Sequence, residues 1–213
     1  KIMAFNGSPR RNGNTASLLK EAESAAASGA DTEYVDLYSL NYKGCISCFY
    51  CKRKDKEHGT CIVKDDLSPL LTKAKEADAL LFGSPIYFMG LTSGMHALLE
   101  RLFFSNYIYS QEIPSVLGKK MLGLHLHHER HGRAGKRSSP AAERSSSGSL
   151  CDRILGMPPK SLWAYNTLQF NDYSKYESSV FSESDKKLTR KGRPHLSETA
   201  YAIGQSLVQD AGK

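Results

Sequence analysis

The chain lacks any apolar run approaching the ~20 residues that span a bilayer, so no membrane-spanning helix is expected in it. It lacks a signal-peptide pattern ahead of its first apolar segment, which sets the expectation of a cytoplasmic protein. It lacks internal repeats and any Pro/Gly/Ser-rich linker splitting two halves, so residues 1–213 are expected to form a single domain. It lacks a basic face interleaved with aromatics. The formal charge of +7 therefore does not argue for nucleic acid, and Arg130, Arg133, Lys136, Arg137 and Arg144 are crowded into one short stretch. Cysteine is scarce, with five in 213 residues, yet Cys45, Cys48, Cys51 and Cys61 lie close together. In a reducing compartment that spacing points to metal or redox chemistry rather than a disulfide scaffold.

What is present alternates. Ile2-Met3-Ala4-Phe5 reads as a buried strand and 14–28 as a helix; Thr32 to Tyr38 alternates like a second strand. A cysteine-rich loop covers 44–61. A helix opens at Asp65-Asp66-Leu67-Ser68-Pro69, with the acidic pair set to complement its positive end. Ala79-Leu80-Leu81-Phe82-Gly83 is a continuous apolar strand. Helix 92–104, a strand from Lys120 to Leu124, a last strand over Ser161–Tyr165 and a closing helix over 194–209 complete the series. Repeated strand–helix units imply an α/β fold, a parallel sheet with helices on both faces.

The strand-to-helix loop Gly7-Ser8-Pro9-Arg10-Arg11-Asn12-Gly13-Asn14-Thr15 is neither G-x-G-x-x-G nor G-x-x-x-x-G-K-[ST]. It still aims backbone N–H groups at one point. Ser8, Asn14 and Thr15 add donors, Arg10 adds positive charge, and the helix dipole favours an anion, so a phosphate fits there. In a doubly wound sheet the loop after the third strand lines the same crevice. That loop, Ser84-Pro85-Ile86-Tyr87-Phe88-Met89-Gly90, offers a flat apolar wall suited to a planar ring. Cradle and wall together suit FMN, whose single phosphate needs no dinucleotide fingerprint.

Cys45-Ile46-Ser47-Cys48-Phe49-Tyr50-Cys51 is C-x-x-C-x-x-C, and Cys61 follows after nine residues. Four thiolates so placed can ligate a [4Fe–4S] cluster. A zinc site, with His58 replacing one thiol, and reduced thiols without metal are the alternatives. Cys151 stands alone and reads as structural.

These motifs resemble the flavodoxin-like NAD(P)H-dependent FMN reductases, and within them the iron–sulfur flavoproteins. The resemblance covers the loops at 7–15 and 45–61, Lys64-Asp65-Asp66-Leu67, Ala77-Asp78-Ala79, Gly83-Ser84-Pro85-Ile86-Tyr87 and Leu99-Glu100-Arg101. It implies a flavodoxin-like doubly wound five-stranded sheet. It implies that Ser8, Arg10, Asn12, Asn14 and Thr15 hold the FMN phosphate and that Pro85, Ile86, Tyr87 and Phe88 face the isoalloxazine. Cys45, Cys48, Cys51 and Cys61 are the expected cluster ligands, although the iron–sulfur flavoproteins have a shorter final gap. NAD(P)H is the expected co-substrate. No side-chain acid or base is nominated, because the flavin carries the chemistry. The expected partners are a small-molecule or protein electron donor and acceptor. A non-enzymatic electron carrier is the second reading, and a cysteine-loop metal module without redox turnover the third.

Helix 92–104 carries Met95, Leu98, Leu99, Leu102, Phe103 and Phe104, with Tyr107 and Tyr109 beyond it. That exceeds the stripe needed to cover one sheet face, and a homodimer or homotetramer is expected. Residues 125–150 do not read like the rest. His125, His127, His128 and His131 give way to a Ser-, Arg- and Ala-rich tract. A surface loop and a histidine metal site are two readings. The third is a shifted reading frame: codons allowed for His125–Gly132, read one base later, give Ile-Tyr-Thr-Met-Asn-Val-Thr, which continues the apolar strand.

Overall fold

Five residues without a polar break, Ile2–Asn6, form strand β1, and all five are buried. The computed structural model describes residues 1–88, 90–110, 112, 115–118, 121–123, 154, 160–164, 170, 172–177 and 194–211. The elements are β1, α1 (Asn14–Ala27), β2 (Thr32–Asp36), α2 (Ser68–Glu76), β3 (Ala79–Gly83), α3 (Ser93–Asn106), β4 (Met121–Gly123) and α4 (Pro194–Ala211). Single 3₁₀ turns lie at Leu37–Ser39, Tyr50–Lys52 and Tyr173–Lys175.

The strands form one parallel sheet in the order β2-β1-β3-β4. The period of two along each strand sorts its side chains between two cores. Met3, Phe5, Leu80 and Phe82 point to one face, where Leu71 and Ala74 of α2 and Met95, Leu98 and Leu102 of α3 cover them. Ile2, Ala4, Ala79 and Leu81 point to the other, under Leu19 and Ala22 of α1 and Ala200, Ile203 and Leu207 of α4. Phe82 anchors the first core, stacked on Phe5 at 5.5 Å and edge-on to Phe103 at 6.4 Å. The fold is therefore α/β and doubly wound, as the sequence implies.

Three boundaries differ from the sequence reading. Strand β2 stops at Asp36 rather than Tyr38. Its partner β1 ends at Asn6 in register with Asp36, and the 3₁₀ turn that follows is fixed by Ser39 Oγ donating to the Asp36 carbonyl. The acidic pair is not in the first turn of α2: Asp65 reaches Arg101 at 2.5 Å, and Asp66 accepts from the Asn41 N–H at 2.7 Å. Helix α3 runs on to Asn106, whose Nδ2 donates to the Leu102 carbonyl at 2.7 Å. The sheet holds four strands among the described residues. At the expected fifth strand, Lys160 and Trp163 are isolated bridge positions, and Tyr165 lies outside the described residues. The segment 125–150, with its histidines and the frame-shift reading, also lies outside them.

Candidate functional site

The strand order reverses direction between β1 and β3, so their carboxyl ends open the crevice where such sheets bind ligands. Asn6 and Gly83 are in register there. The Gly7 N–H donates to the Gly83 carbonyl at 2.7 Å, and the two site loops thus start side by side. Gly7 is required at this approach: a Cβ on it would sit 2.9 Å from Met95 Cβ and 3.2 Å from the Gly83 oxygen.

The loop after β1 is shaped by its own polar groups. Asn6 is fully buried, donates to Asp36 Oδ1 at 2.7 Å and accepts from the Ser8 N–H at 3.1 Å. Ser8, almost buried, accepts from the Arg10 N–H at 3.1 Å and donates to the Arg10 carbonyl at 3.3 Å. Its hydroxyl therefore builds the turn. Thr15 is buried in the first turn of α1, while Arg10, Asn12 and Asn14 are exposed around it. The N-cap of α1 is Gly13, with no side-chain cap and no acidic residue in the first turn. The positive end of this helix thus has no carboxylate of its own nearby, which is the condition for binding an anion.

The wall after β3 is a tight two-residue loop. The Tyr87 N–H donates to the Gly90 carbonyl at 2.8 Å and the Gly90 N–H to Tyr87 at 3.0 Å. Pro85 is buried and Ile86 half-buried, while Tyr87 and Phe88 are exposed. Phe88 has φ +50 and is wholly exposed at the tip. A left-handed, solvent-facing phenylalanine is costly in both respects, which fits a residue waiting for something to cover it.

Thr92, which composition and motif did not single out, ties the two loops together. It is fully buried and caps α3, accepting from the Met95 N–H at 3.3 Å. Its Oγ1 donates to the Gly7 carbonyl at 2.6 Å, and its N–H donates to Ser84 Oγ at 3.1 Å. A threonine just before an apolar helix was the available signal.

The cysteine segment lies along the same helix. Tyr42 Oη donates to the Gly94 carbonyl at 2.7 Å, and the Cys45 N–H donates to Glu100 Oε2 at 3.1 Å. Lys52 Nζ donates to the carbonyls of Phe104 and Tyr107 and lies 4.4 Å over the Phe104 ring. Phe49 packs edge-on against Phe104 at 5.7 Å. Part of the aromatic surplus attributed to a subunit interface is thus used within the chain.

Cys45, Cys48, Cys51 and Cys61 are free thiols and all line one small cavity, with Ile46, Phe49 and Arg101. Ser47 and Phe49, on either side of Cys48, have φ of 51 and 54, a left-handed backbone that curls the segment. Burial pushes the Cys51 thiol up. His58 lies against the Cys51 carbonyl through Nδ1, at 3.1 Å. No three His, Cys, Asp or Glu side chains converge as ligands of a single ion among the described residues. Four cysteines lining one cavity are the donor set that a cubane cluster takes.

Arg101 was quoted in the sequence only as part of a resemblance. It is buried on α3 and carries the salt bridge to Asp65, with a side-chain exposure of 0%. Burial pushes the Asp65 carboxyl upward, but the Arg101 bond and the N–H groups of Lys43 and Leu67 outweigh it and hold it below the ordinary range. An arginine on the stripe of Met95, Leu98 and Leu102 was the missed sign.

A family model described as NADPH-dependent FMN reductase matches residues 1–134. An iron–sulfur flavoprotein of Methanocaldococcus jannaschii is 40% identical over 102 residues, which are 47% of this chain and 51% of that protein. One from Archaeoglobus fulgidus is 36% identical over 102 residues, 47% of this chain and 48% of its own. The chain spans about half the length of the curated relatives it matches. Among solved structures, an NAD(P)H:quinone oxidoreductase from Methanothermobacter marburgensis superposes with a TM-score of 0.61 at 18% identity, covering 97% of this chain and 95% of that one. At that identity the likeness speaks for the fold alone. Among the described residues no helix is long and apolar enough to cross a membrane.

Proposed function

We propose, starting from a chain that belongs to the NADPH-dependent FMN reductase family, that it is an FMN-dependent oxidoreductase of the iron–sulfur flavoprotein branch. It takes electrons from NAD(P)H or a protein donor and passes them to a small-molecule or protein acceptor. The observation that carries this reading is the joined pair of loops at the β1/β3 switch point: a helix N-terminus open to an anion beside an apolar wall, fixed to each other through Gly7, Gly83 and Thr92.

Ser8, Arg10, Asn12, Asn14 and Thr15 would hold the FMN phosphate, and Pro85, Ile86, Tyr87 and Phe88 would lie against the ring. FMN supplies the hydride and electron chemistry, and a [4Fe–4S] cluster on Cys45, Cys48, Cys51 and Cys61 supplies one-electron transfer. The residues of this chain bind, orient and exclude water. Ser8 keeps the turn closed, Tyr87 and Phe88 form the face, and α3 supports both half-sites, Thr92 at its start and Arg101 about 14 Å further along its axis at 1.5 Å per residue. The same reading implies a symmetric homodimer or homotetramer around the α3 surface and a cytoplasmic location where the thiols stay reduced.

Steady-state oxidation of NADH and NADPH under nitrogen, with a quinone or nitro compound as acceptor, tests the enzyme reading. Turnover is expected. Flavin that binds but is not reduced by either nucleotide would favour the electron carrier.

A further inference from the structure

We propose that Arg101 is the counter-ion of the cysteine cavity and donates its Nε–H to a sulfur of the cluster, an assignment that rests on the cluster reading above. A guanidinium has five N–H donors and no acceptor. Four contacts are made by two of its nitrogens. Nη1 donates to the Lys43 carbonyl at 3.3 Å and to Asp65 Oδ2 at 2.5 Å, and Nη2 donates to the Val63 carbonyl at 3.1 Å and to Ser68 Oγ at 3.5 Å. Nε is buried and has no partner in the structure. Buried donors are nearly always satisfied, so an orphan on a cavity wall marks where an acceptor belongs.

The position fits that role. Arg101 lines the same cavity as Cys45, Cys48, Cys51 and Cys61. The chain positions it grips lie just outside the first and last cysteines: Lys43 precedes Cys45 by two residues, and Val63 follows Cys61 by two. One side chain therefore closes the base of the cysteine segment and keeps one donor, Nε–H, without a partner there. Asp65 is its one carboxylate partner among the described residues. Four thiolates around a cluster add negative charge that this ion pair does not satisfy. Lys52 does not line the cavity; its ammonium donates to the carbonyls of Phe104 and Tyr107, lies over the Phe104 ring and also interacts with the Cys51 thiol from outside. Hydrogen bonds to sulfur and local charge are what set a cluster's potential. A donor strengthens its bond as the cluster gains an electron, so Arg101 should make the cluster easier to reduce. It is a positioning and tuning residue, not a catalytic one.

The test uses the full chain, purified under nitrogen and reconstituted with iron and sulfide. Wild-type protein is compared with Arg101→Lys, which keeps the charge and loses the guanidinium fork, Nε–H included. Iron and acid-labile sulfide are counted, and the cluster potential is read by EPR-monitored titration. The expected result is a cluster in both, with the reduced form at least tenfold less populated in the variant at a given potential, a fall of about 59 mV for a one-electron couple. A variant cluster with unchanged potential would overturn the proposal. If the variant binds no cluster, wild-type protein labelled with ¹⁵N-arginine decides: hyperfine coupling of the reduced cluster to an arginine nitrogen supports the assignment, and its absence overturns it. Wild-type protein without iron or sulfide sinks the cluster reading itself, a separate and recognisable failure.

Discussion

Thr92→Val replaces a hydroxyl by a methyl of nearly the same size, so it probes the tie between the two flavin loops with little change in packing. The hydroxyl caps α3 through the Met95 N–H at 3.3 Å and holds the Gly7 carbonyl at 2.6 Å, in a fully buried place. Loss of a threonine N-cap costs about 1 kcal/mol, and a buried carbonyl left without its donor costs about 1–3 kcal/mol. The two share one hydroxyl, so the expected loss is about 2–3 kcal/mol rather than the full sum. For a chain of this size that lowers the melting temperature by roughly 4–12 °C. Gly7 also begins the phosphate loop, and a loosened loop must be ordered again on binding. FMN affinity should fall about tenfold, or 1.4 kcal/mol. The assay is urea denaturation of the flavin-free chain followed by circular dichroism, together with titration of FMN by fluorescence quenching. Thr92→Ser, which keeps the oxygen, should recover most of both effects. Stability within about 0.5 kcal/mol of wild type and an unchanged FMN affinity in Thr92→Val would refute the argument that this hydroxyl joins the half-sites.

Ser8→Ala with Thr15→Ala should weaken FMN binding by about 1.5–3 kcal/mol per lost charge-assisted bond, read by the same titration; unchanged affinity would count against the phosphate loop as assigned. Light scattering of the flavin-loaded chain should give a dimer or tetramer, and a monomer mass at micromolar concentration with FMN fully bound would remove the shared interface. Asp65 titrates lower in the folded chain than its ordinary 3.8, so its bond to Arg101 contributes fully above that value and is lost as pH falls through the folded one. Denaturation midpoints of wild type should therefore drop below about pH 4, and Asp65→Asn, less stable at neutral pH, should show a flatter acid limb; parallel curves would contradict the pairing.

Much of this architecture was legible because local pattern and tertiary role agree in it. β1 and β3 are buried on both faces, so their apolar runs carry no competing signal, and α1 begins where the Gly13-Asn14 punctuation places it. β2 read too long because Leu37 and Tyr38 continue an alternation that only the end of its neighbour cuts off. Asp65 looked like a helix-dipole partner, since sequence offers no view of Arg101, 36 residues away, with its need for a carboxylate. The aromatics after Leu102 were readable as surplus apolar surface, but not as supports for Lys52 and Phe49, because those contacts join segments distant along the chain. The loops after β1 and β3 lie side by side, as the switch-point rule implies. The residue that fastens them, Thr92, carried only the weak signature of a helix cap.

The central claim is that one chain holds a flavin at the β1/β3 crevice and a cluster in the four-cysteine cavity. Cofactor analysis of freshly isolated protein, made without oxygen, tests it most directly. The account predicts heat-released flavin that comigrates with FMN, about four iron and four sulfide per chain, and a broad shoulder near 400 nm beside the flavin bands, roughly where thiolate-ligated iron absorbs. Recovery of FAD alone, or of protein that takes up no flavin on reconstitution, would contradict it.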